Sequence, residues 1–367
     1  MRASIDNASK SVSKVPDSMT ASIADEIDLR FFEHGGRLDV ARQTFPNAPE
    51  PWIDLSTGIS PWIYPVPPLA EDDMGRLPNA SGLQSLIEAA RKAYRAPSAA
   101  DVIALPGTDT GLSILPWLFR TPKRVAVLAP SYSGHRTAWE AAGHSVSEIA
   151  TLDRAGNAAI LIVVNPNNPD GRFTAHGDLA AAIPSLKRRD GLLIVDEAFA
   201  DADEGHSLLP AVTRLDHTLV LRSAGKFYGA AGVRLGFAVT SHPVAGRLKA
   251  ALGAWPLPAQ AISFGRTALA DAVWASTQRA RLQEAASDLD AILQSGGFRP
   301  SGGTALFRLA SHDSSRGMFM HLARRGILTR PFESRSELRF GLPKGQEELN
   351  RLREALTSAP FQKRDRS

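Results

Sequence analysis

The chain has 367 residues, 43% of them hydrophobic and 22% charged, which is the make-up of an ordinary folded protein with ample material for a core. It contains no cysteine, and this excludes disulfide frameworks, thiolate metal centres, iron–sulfur clusters and a cysteine nucleophile. Forty-two basic side chains against 38 acidic ones leave a net charge of +4, weak ground for a nucleic-acid partner and compatible with an acidic small substrate.

Residues 1–28 are rich in Ser, Lys, Asp and Ala and are expected to form a mobile arm. No apolar stretch follows the basic residues Arg2, Lys10 and Lys14, so a secretory signal is not expected and a cytoplasmic location is. The longest nearly continuous apolar run, residues 158–164, falls far short of the roughly 18 residues a helix needs to cross a bilayer, and no membrane partner is expected. From 29 to 68 the chain is rich in Pro, Gly and Trp without a clear period; so long an irregular stretch suggests a contribution to a substrate site.

Over 69–255 strand and helix signals alternate. Leu83, Leu86, Ile87, Ala90 and Tyr94 share a helical face. Strands are predicted at 101–105, 124–128, 159–164, 192–195, 218–221 and 235–239, with helices at 109–119, 135–142 and 178–188 between them. This rhythm predicts an α/β fold, a mostly parallel sheet with helices on both faces. Over 256–367 the pattern changes to a long helical region at 259–293, short strands at 305–309, 327–329 and 338–340, and helices at 318–325 and 347–356, which predicts a smaller α+β domain.

Ligands of open α/β sheets bind at the carboxyl ends of the strands. Four predicted strand ends carry polar or glycine-rich sequence: Gly107-Thr-Asp-Thr110, Asn165-Pro-Asn-Asn-Pro-Asp-Gly171, Asp196-Glu-Ala-Phe199 and Ser223-Ala-Gly-Lys226. A lone loop lysine is usually solvated, but Lys226 has Ser223 before it and Arg234 after it with glycines between, the groups a bound phosphate needs. A lysine beside a phosphate site can form a Schiff base with an aldehyde cofactor. Asp196 ends an apolar strand, where it fits a helix N-cap or a partner for a pyridinium nitrogen. The asparagine turn is either a plain tight turn or a device aiming Asn168 into the site. Thr108, Asp109 and Thr110 suit a helix cap or an anion site, and Tyr132 suits core packing or stacking on a planar ring. No G-x-G-x-x-G, Walker or H-E-x-x-H motif occurs, which disfavours dinucleotide and nucleotide folds and zinc hydrolases; no metal is expected.

Together these residues resemble the fold-type I pyridoxal-phosphate enzymes, the aspartate aminotransferase superfamily, from about residue 30 to 358. The resemblance implies pyridoxal 5'-phosphate as cofactor and a homodimer; the Trp- and Pro-rich segment from Trp52 to Pro68 is the candidate for part of its interface, since exposed apolar stretches usually mark contacts. It implies Lys226 as the cofactor-bearing lysine, Asp196 at the ring nitrogen and Asn168 at the ring hydroxyl. Ser223, Arg234 and the Thr108–Asp109–Thr110 turn would hold the phosphate, and Tyr132 would stack on the ring. Arg339, in Glu337-Leu-Arg-Phe340, matches an arginine that receives a substrate carboxylate.

Within the superfamily the sequence is similar to the threonine-phosphate decarboxylases of cobalamin biosynthesis and to the histidinol-phosphate aminotransferases. Glu33-His34-Gly35-Gly36-Arg37, followed by Ile53-Asp-Leu-Ser-Thr-Gly-Ile-Ser-Pro61, looks like the opening of the decarboxylases, as does Phe199 where most aminotransferases have Tyr. The resemblance implies His34, Gly35, Asn168, Arg330 and Arg339 as substrate-binding residues, and a decarboxylation of L-threonine O-3-phosphate to (R)-1-amino-2-propanol phosphate and CO2. The alternative is an aminotransferase acting on a phosphorylated substrate such as histidinol phosphate. Gly58 and Ser60 stand where relatives usually carry Asn, Leu77 near where many carry a phosphate-binding Tyr, and Asp170 in place of a common Thr.

Overall fold

In the computed structural model, which describes residues 27–333 and 335–361, a short strand β1 (Ile53–Asp54) precedes a central sheet. The sheet comprises β2 (Asp101–Leu105), β3 (Arg124–Leu128), β4 (Ser145–Ile149), β5 (Ile160–Val164), β6 (Leu192–Asp196), β7 (Thr218–Ser223) and β8 (Gly236–Thr240). Its order is β2-β8-β7-β6-β5-β3-β4, and only β8 runs against the rest. The expected N-terminal arm lies outside the described residues up to residue 26.

The apolar runs of β5 and β6 are buried throughout because both faces of the sheet are covered. Alternate residues feed two cores: Leu161, Val163, Leu193 and Val195 pack into one, and Ile160, Ile162, Leu192 and Ile194 into the other. Since β2, β3, β5, β6 and β7 run in parallel, their carboxyl ends share one edge of the sheet, and the four motif-bearing loops emerge there.

A second, antiparallel sheet follows: β9 (Arg299–Thr304), β10 (Phe307–Ser311), β12 (Arg330–Pro331) and β13 (Glu337–Gly341), in the order β12-β13-β10-β9, while β11 (Ile327–Leu328) pairs with β1. This sheet packs on helices Ala272–Ser295 and Ser315–Ala323, and helix Gly345–Thr357 packs on those two helices. The helical region expected over 259–293 is two helices, Ala259–Ala270 and Ala272–Ser295; between them Asp271 caps the second by accepting from the Trp274 N–H at 2.9 Å. The stretch 29–68 is more ordered than its composition suggests, with helices Arg30–Glu33 and Leu38–Thr44 as well as β1.

Strands β4 and β9 and the helix Val244–Leu252 were not expected from sequence. Strand β4 lies at the sheet edge and is largely exposed, so its residues Ser145-Val-Ser-Glu-Ile149 carry little apolar signal. Strand β9 contains a proline and two glycines, which read as turn. Val244, Leu248 and Leu252 did offer a helical spacing. Among the described residues no helix is long and apolar enough to cross a membrane.

Candidate active site

A cavity of about 270 Å³ opens at the carboxyl edge of the large sheet, with Arg339 brought to it from β13 of the small sheet. His34, Gly35, Thr108, Asp109, Tyr132, Asn168, Asp196, Ser223, Lys226, Arg234 and Arg339 all line it. These residues span three hundred positions of sequence, and the parallel strand order is what gathers them.

Asp196, the last residue of β6, is buried. Its Oδ1 accepts from the Ala198 N–H at 3.1 Å, and its Oδ2 lies 2.9 Å from Nε2 of His135, a fully buried histidine on helix Ser133–Ala141. His135 was missed in the sequence; its one signal is its place three residues after Tyr132, in the first turn of the helix that follows β3.

Lys226 sits on the short helix Ala224–Phe227 that follows Ser223 at the end of β7. Burial, then the nearby Arg339 and Arg234, push its amine down to about 8 from the ordinary lysine value. Its carbonyl accepts from the Ser60 N–H at 2.9 Å, which ties this helix to the segment after β1. Ser60 is buried, and its hydroxyl donates to the Trp62 carbonyl at 3.0 Å and accepts from Gln278 at 2.6 Å.

The phosphate-type cradle is made by helix Thr108–Ile114, Ser223, Gly225 and Arg234. Gly107, just before that helix, has φ +85°, and a Cβ there would stand 2.7 Å from Arg234 Nη2. Only glycine lets the guanidinium approach this loop. Tyr132 is half-buried, with its hydroxyl 3.3 Å from Asp109 Oδ1; burial, then the Asp109 charge, push its phenol up to about 12. His34 is exposed at the mouth, its ring centroid 6.2 Å from that of Tyr132.

Arg339 is buried, with Nη1 donating to Asn168 Oδ1 at 2.5 Å and Nη2 to the Ser56 carbonyl at 2.9 Å. Its Nε has no partner, and no carboxylate pairs with it among the described residues. Burial, then repulsion from Arg330, hold its proton affinity well below the guanidinium range. A desolvated cation in this condition calls for an anion.

Two residues of the expected set stand apart from the cavity. Thr110 donates its hydroxyl to the Pro106 carbonyl at 2.9 Å, one helical turn back, instead of facing the cradle. Arg330, the cross-strand neighbour of Arg339, donates to the carbonyls of Phe31, Phe32 and Glu33, the last at 2.9 Å, so it caps the helix that precedes His34. Burial pushes Arg330 down to about 10.

The departures have local explanations. A Cβ at Gly58 would lie 2.8 Å from Phe199 Cε1 and 2.9 Å from Phe307 Cδ1, so the edge-packed Phe199–Phe307 pair fills the space an Asn would need. Asp170 closes the asparagine turn by accepting from Asn167 Nδ2 at 2.7 Å and the Arg172 N–H at 3.0 Å. Leu77 is exposed.

The parts fit a phosphorylated aldehyde cofactor: a buried amine of lowered proton affinity, a carboxylate at the cavity floor and a glycine-lined cradle facing a guanidinium. Residues 68–356 match the aminotransferase class I and II family, and the chain belongs to it; it is a pyridoxal-phosphate-dependent enzyme of fold type I. Within that class it is 40% identical over 327 residues to threonine-phosphate decarboxylase from Pseudomonas aeruginosa, a match covering 88% of this chain and 97% of that protein. A Sinorhizobium threonine-phosphate decarboxylase is 35% identical with the same coverage, whereas histidinol-phosphate aminotransferase from Symbiobacterium thermophilum is 31% identical over 65% of this chain and 68% of its own. Solved structures share the fold: histidinol-phosphate aminotransferase from Sinorhizobium meliloti in complex with pyridoxal-5'-phosphate (TM-score 0.73, 17% identity, 87% of this chain and 94% of that one), and L-threonine-O-3-phosphate decarboxylase from Porphyromonas gingivalis (TM-score 0.68, 16% identity, 83% and 98%).

Proposed function

We propose that this enzyme decarboxylates L-threonine O-3-phosphate to (R)-1-amino-2-propanol phosphate and CO2, as a step of cobalamin biosynthesis. The observation that carries this reading is the 40% identity to a threonine-phosphate decarboxylase across 97% of that protein's length. The aminotransferase alternative rests on weaker and shorter similarity.

Bound pyridoxal phosphate supplies an electron sink for the pair released at Cα. Lys226 would carry it, Asp196 would keep the ring nitrogen protonated, and Asn168 and Tyr132 would hold the ring by its hydroxyl and its face. Thr108, Asp109, Ser223 and Arg234 would bind the phosphate. Arg339 would take the substrate carboxylate, since its buried guanidinium has no acidic partner among the described residues. His34 and Gly35 would meet the substrate phosphate at the mouth, steadied by Arg330. Freed from the cofactor, Lys226 carries a proton below about pH 8 and would act as the acid that returns one to Cα.

The same reading makes the protein a cytoplasmic homodimer of two-domain subunits divided near residue 255. Exposed Ile63 and Val66 support a contact surface within the segment from Trp52 to Pro68. The deciding experiment is CO2 trapping with L-threonine O-3-phosphate and no keto-acid acceptor. Many turnovers with the cofactor spectrum unchanged are expected. Turnover that requires 2-oxoglutarate and leaves pyridoxamine phosphate would replace this reading with the aminotransferase.

A further inference from the structure

Behind the cavity, on the opposite side of the same two strand ends, lies a buried charge cluster that the chemistry above does not use. Side chains alternate along a strand, so the residues next to Asp196 and Ser223 point away from the cofactor cavity. Those residues are Glu197 and Arg222, and they meet: Arg222 Nη1 donates to Glu197 Oε2 at 2.8 Å, with both side chains almost fully buried. The other fork of Arg222 bonds Asp201, and its guanidinium carbon lies 4.4 Å from the Tyr94 ring centroid. Glu197 also accepts from Ser207 Oγ and the Leu208 N–H, each at 2.6 Å. Arg279 borders the cluster, with Nε donating to the Asp201 carbonyl at 2.9 Å.

We propose that Glu197 and Arg222 are positioning residues, an ion pair that cross-links the carboxyl ends of β6 and β7 and so fixes Asp196 relative to Ser223 and Lys226. The backbone already joins these strands, since the Glu197 N–H donates to the Leu221 carbonyl at 2.9 Å. The side-chain pair adds a second tie at the very residues that follow Asp196 and precede Ser223. Charges this deeply buried are costly to desolvate, and a hydrophobic pair would stabilise the fold as well; the use that charge adds is a fixed register.

The inference rests on Asp196 facing the ring nitrogen. A proton held there is a positive charge that lowers the proton affinity of the conjugated nitrogen on Lys226. Loosening Asp196 must therefore raise the pH at which the visible band of the holoenzyme changes. E197Q is the test variant, because it turns the ion pair into at most a neutral amide contact while Arg222 stays paired with Asp201. D201N is the control, because it makes the same charge change in the same cluster but leaves the Arg222–Glu197 bond. For E197Q the band's midpoint should rise by about half a pH unit or more, and cofactor should dissociate several-fold faster; D201N should leave both near the wild-type values.

Equal shifts in both variants would assign the effect to net charge and overturn the proposal. A lowered melting temperature of E197Q with unchanged midpoint and dissociation would make the pair structural only, and also overturn it. If E197Q does not fold, R222K, which keeps the charge but cannot fork, must shift the midpoint in the same direction. D196N separates the two levels: no shift in D196N sinks the assignment of Asp196, whereas a shift in D196N without one in E197Q sinks only the positioning role.

Discussion

His135 Nε2 lies 2.9 Å from Asp196 Oδ2, and both groups are shut away from solvent. The imidazole orients the carboxylate that the proposed chemistry sets against the cofactor ring. Replacing it with Ala leaves a buried carboxylate oxygen without that partner, and hydrogen bonds to charged groups are worth about 1.5–3 kcal/mol. H135A should lower kcat/KM by roughly ten- to hundredfold, while H135N, which can still donate, should recover part of the loss. Steady-state kinetics on both variants check this.

The contrast between Asp196 and His135 shows what the sequence makes legible. Asp196 ends an apolar strand in a motif-bearing loop, so its residue type and place were informative together. His135 lies on a helix whose inward face is visible only after folding. The same holds for Arg330: the strand expected at 327–329 is β11 and stops short of it, Arg330 itself lies on the two-residue strand β12, and its three backbone acceptors come from a helix some three hundred residues earlier. The central strands β5 and β6 were legible because burial on both faces demands unbroken apolar runs, and the exposed edge strand β4 was not because nothing demands them there.

Lys226 gives a pH prediction with a definite sign. Below about pH 8 its amine is protonated and cannot attack an aldehyde; above it the amine is neutral. The rate at which cofactor-free protein captures pyridoxal phosphate should therefore climb with pH, pass half its maximum near 8 and level off about one unit higher. A free lysine analogue, with a midpoint near 10.4, should keep climbing through that range. Stopped-flow absorbance follows both reactions. K226A should show no band at any pH, and borohydride reduction of the wild-type holoenzyme should label Lys226 in a peptide map.

Gly107 is the residue through which the cradle can be weakened without touching a polar group. Its backbone, at φ +85° and ψ +148°, is one that other residues adopt at a cost of about 1–3 kcal/mol, and a Cβ would press on Arg234 Nη2. G107A should weaken pyridoxal-phosphate binding by about tenfold or more, since Arg234 must retreat. Fluorescence titration of cofactor-free protein measures the change. Unaltered affinity would remove Arg234 from the phosphate site.

Arg339 allows the substrate's two anionic groups to be told apart. Its guanidinium is held by Asn168 and Ser56, is buried, and has no carboxylate partner among the described residues, so a substrate carboxylate is the natural occupant. Losing one partner of a buried charge pair costs about 2–5 kcal/mol, so R339Q should lower kcat/KM for L-threonine O-3-phosphate by roughly thirtyfold to several thousandfold. Lysine keeps the charge but cannot reach both Asn168 and Ser56 as a planar fork does, so R339K should fall between the two. The product gives the internal control, because (R)-1-amino-2-propanol phosphate retains the phosphate and has lost the carboxylate. If Arg339 grips the carboxylate, product inhibition should be nearly the same in R339Q as in the wild type. If product inhibition weakens as much as substrate turnover, Arg339 holds the phosphate instead, and the carboxylate must be received elsewhere in the cavity.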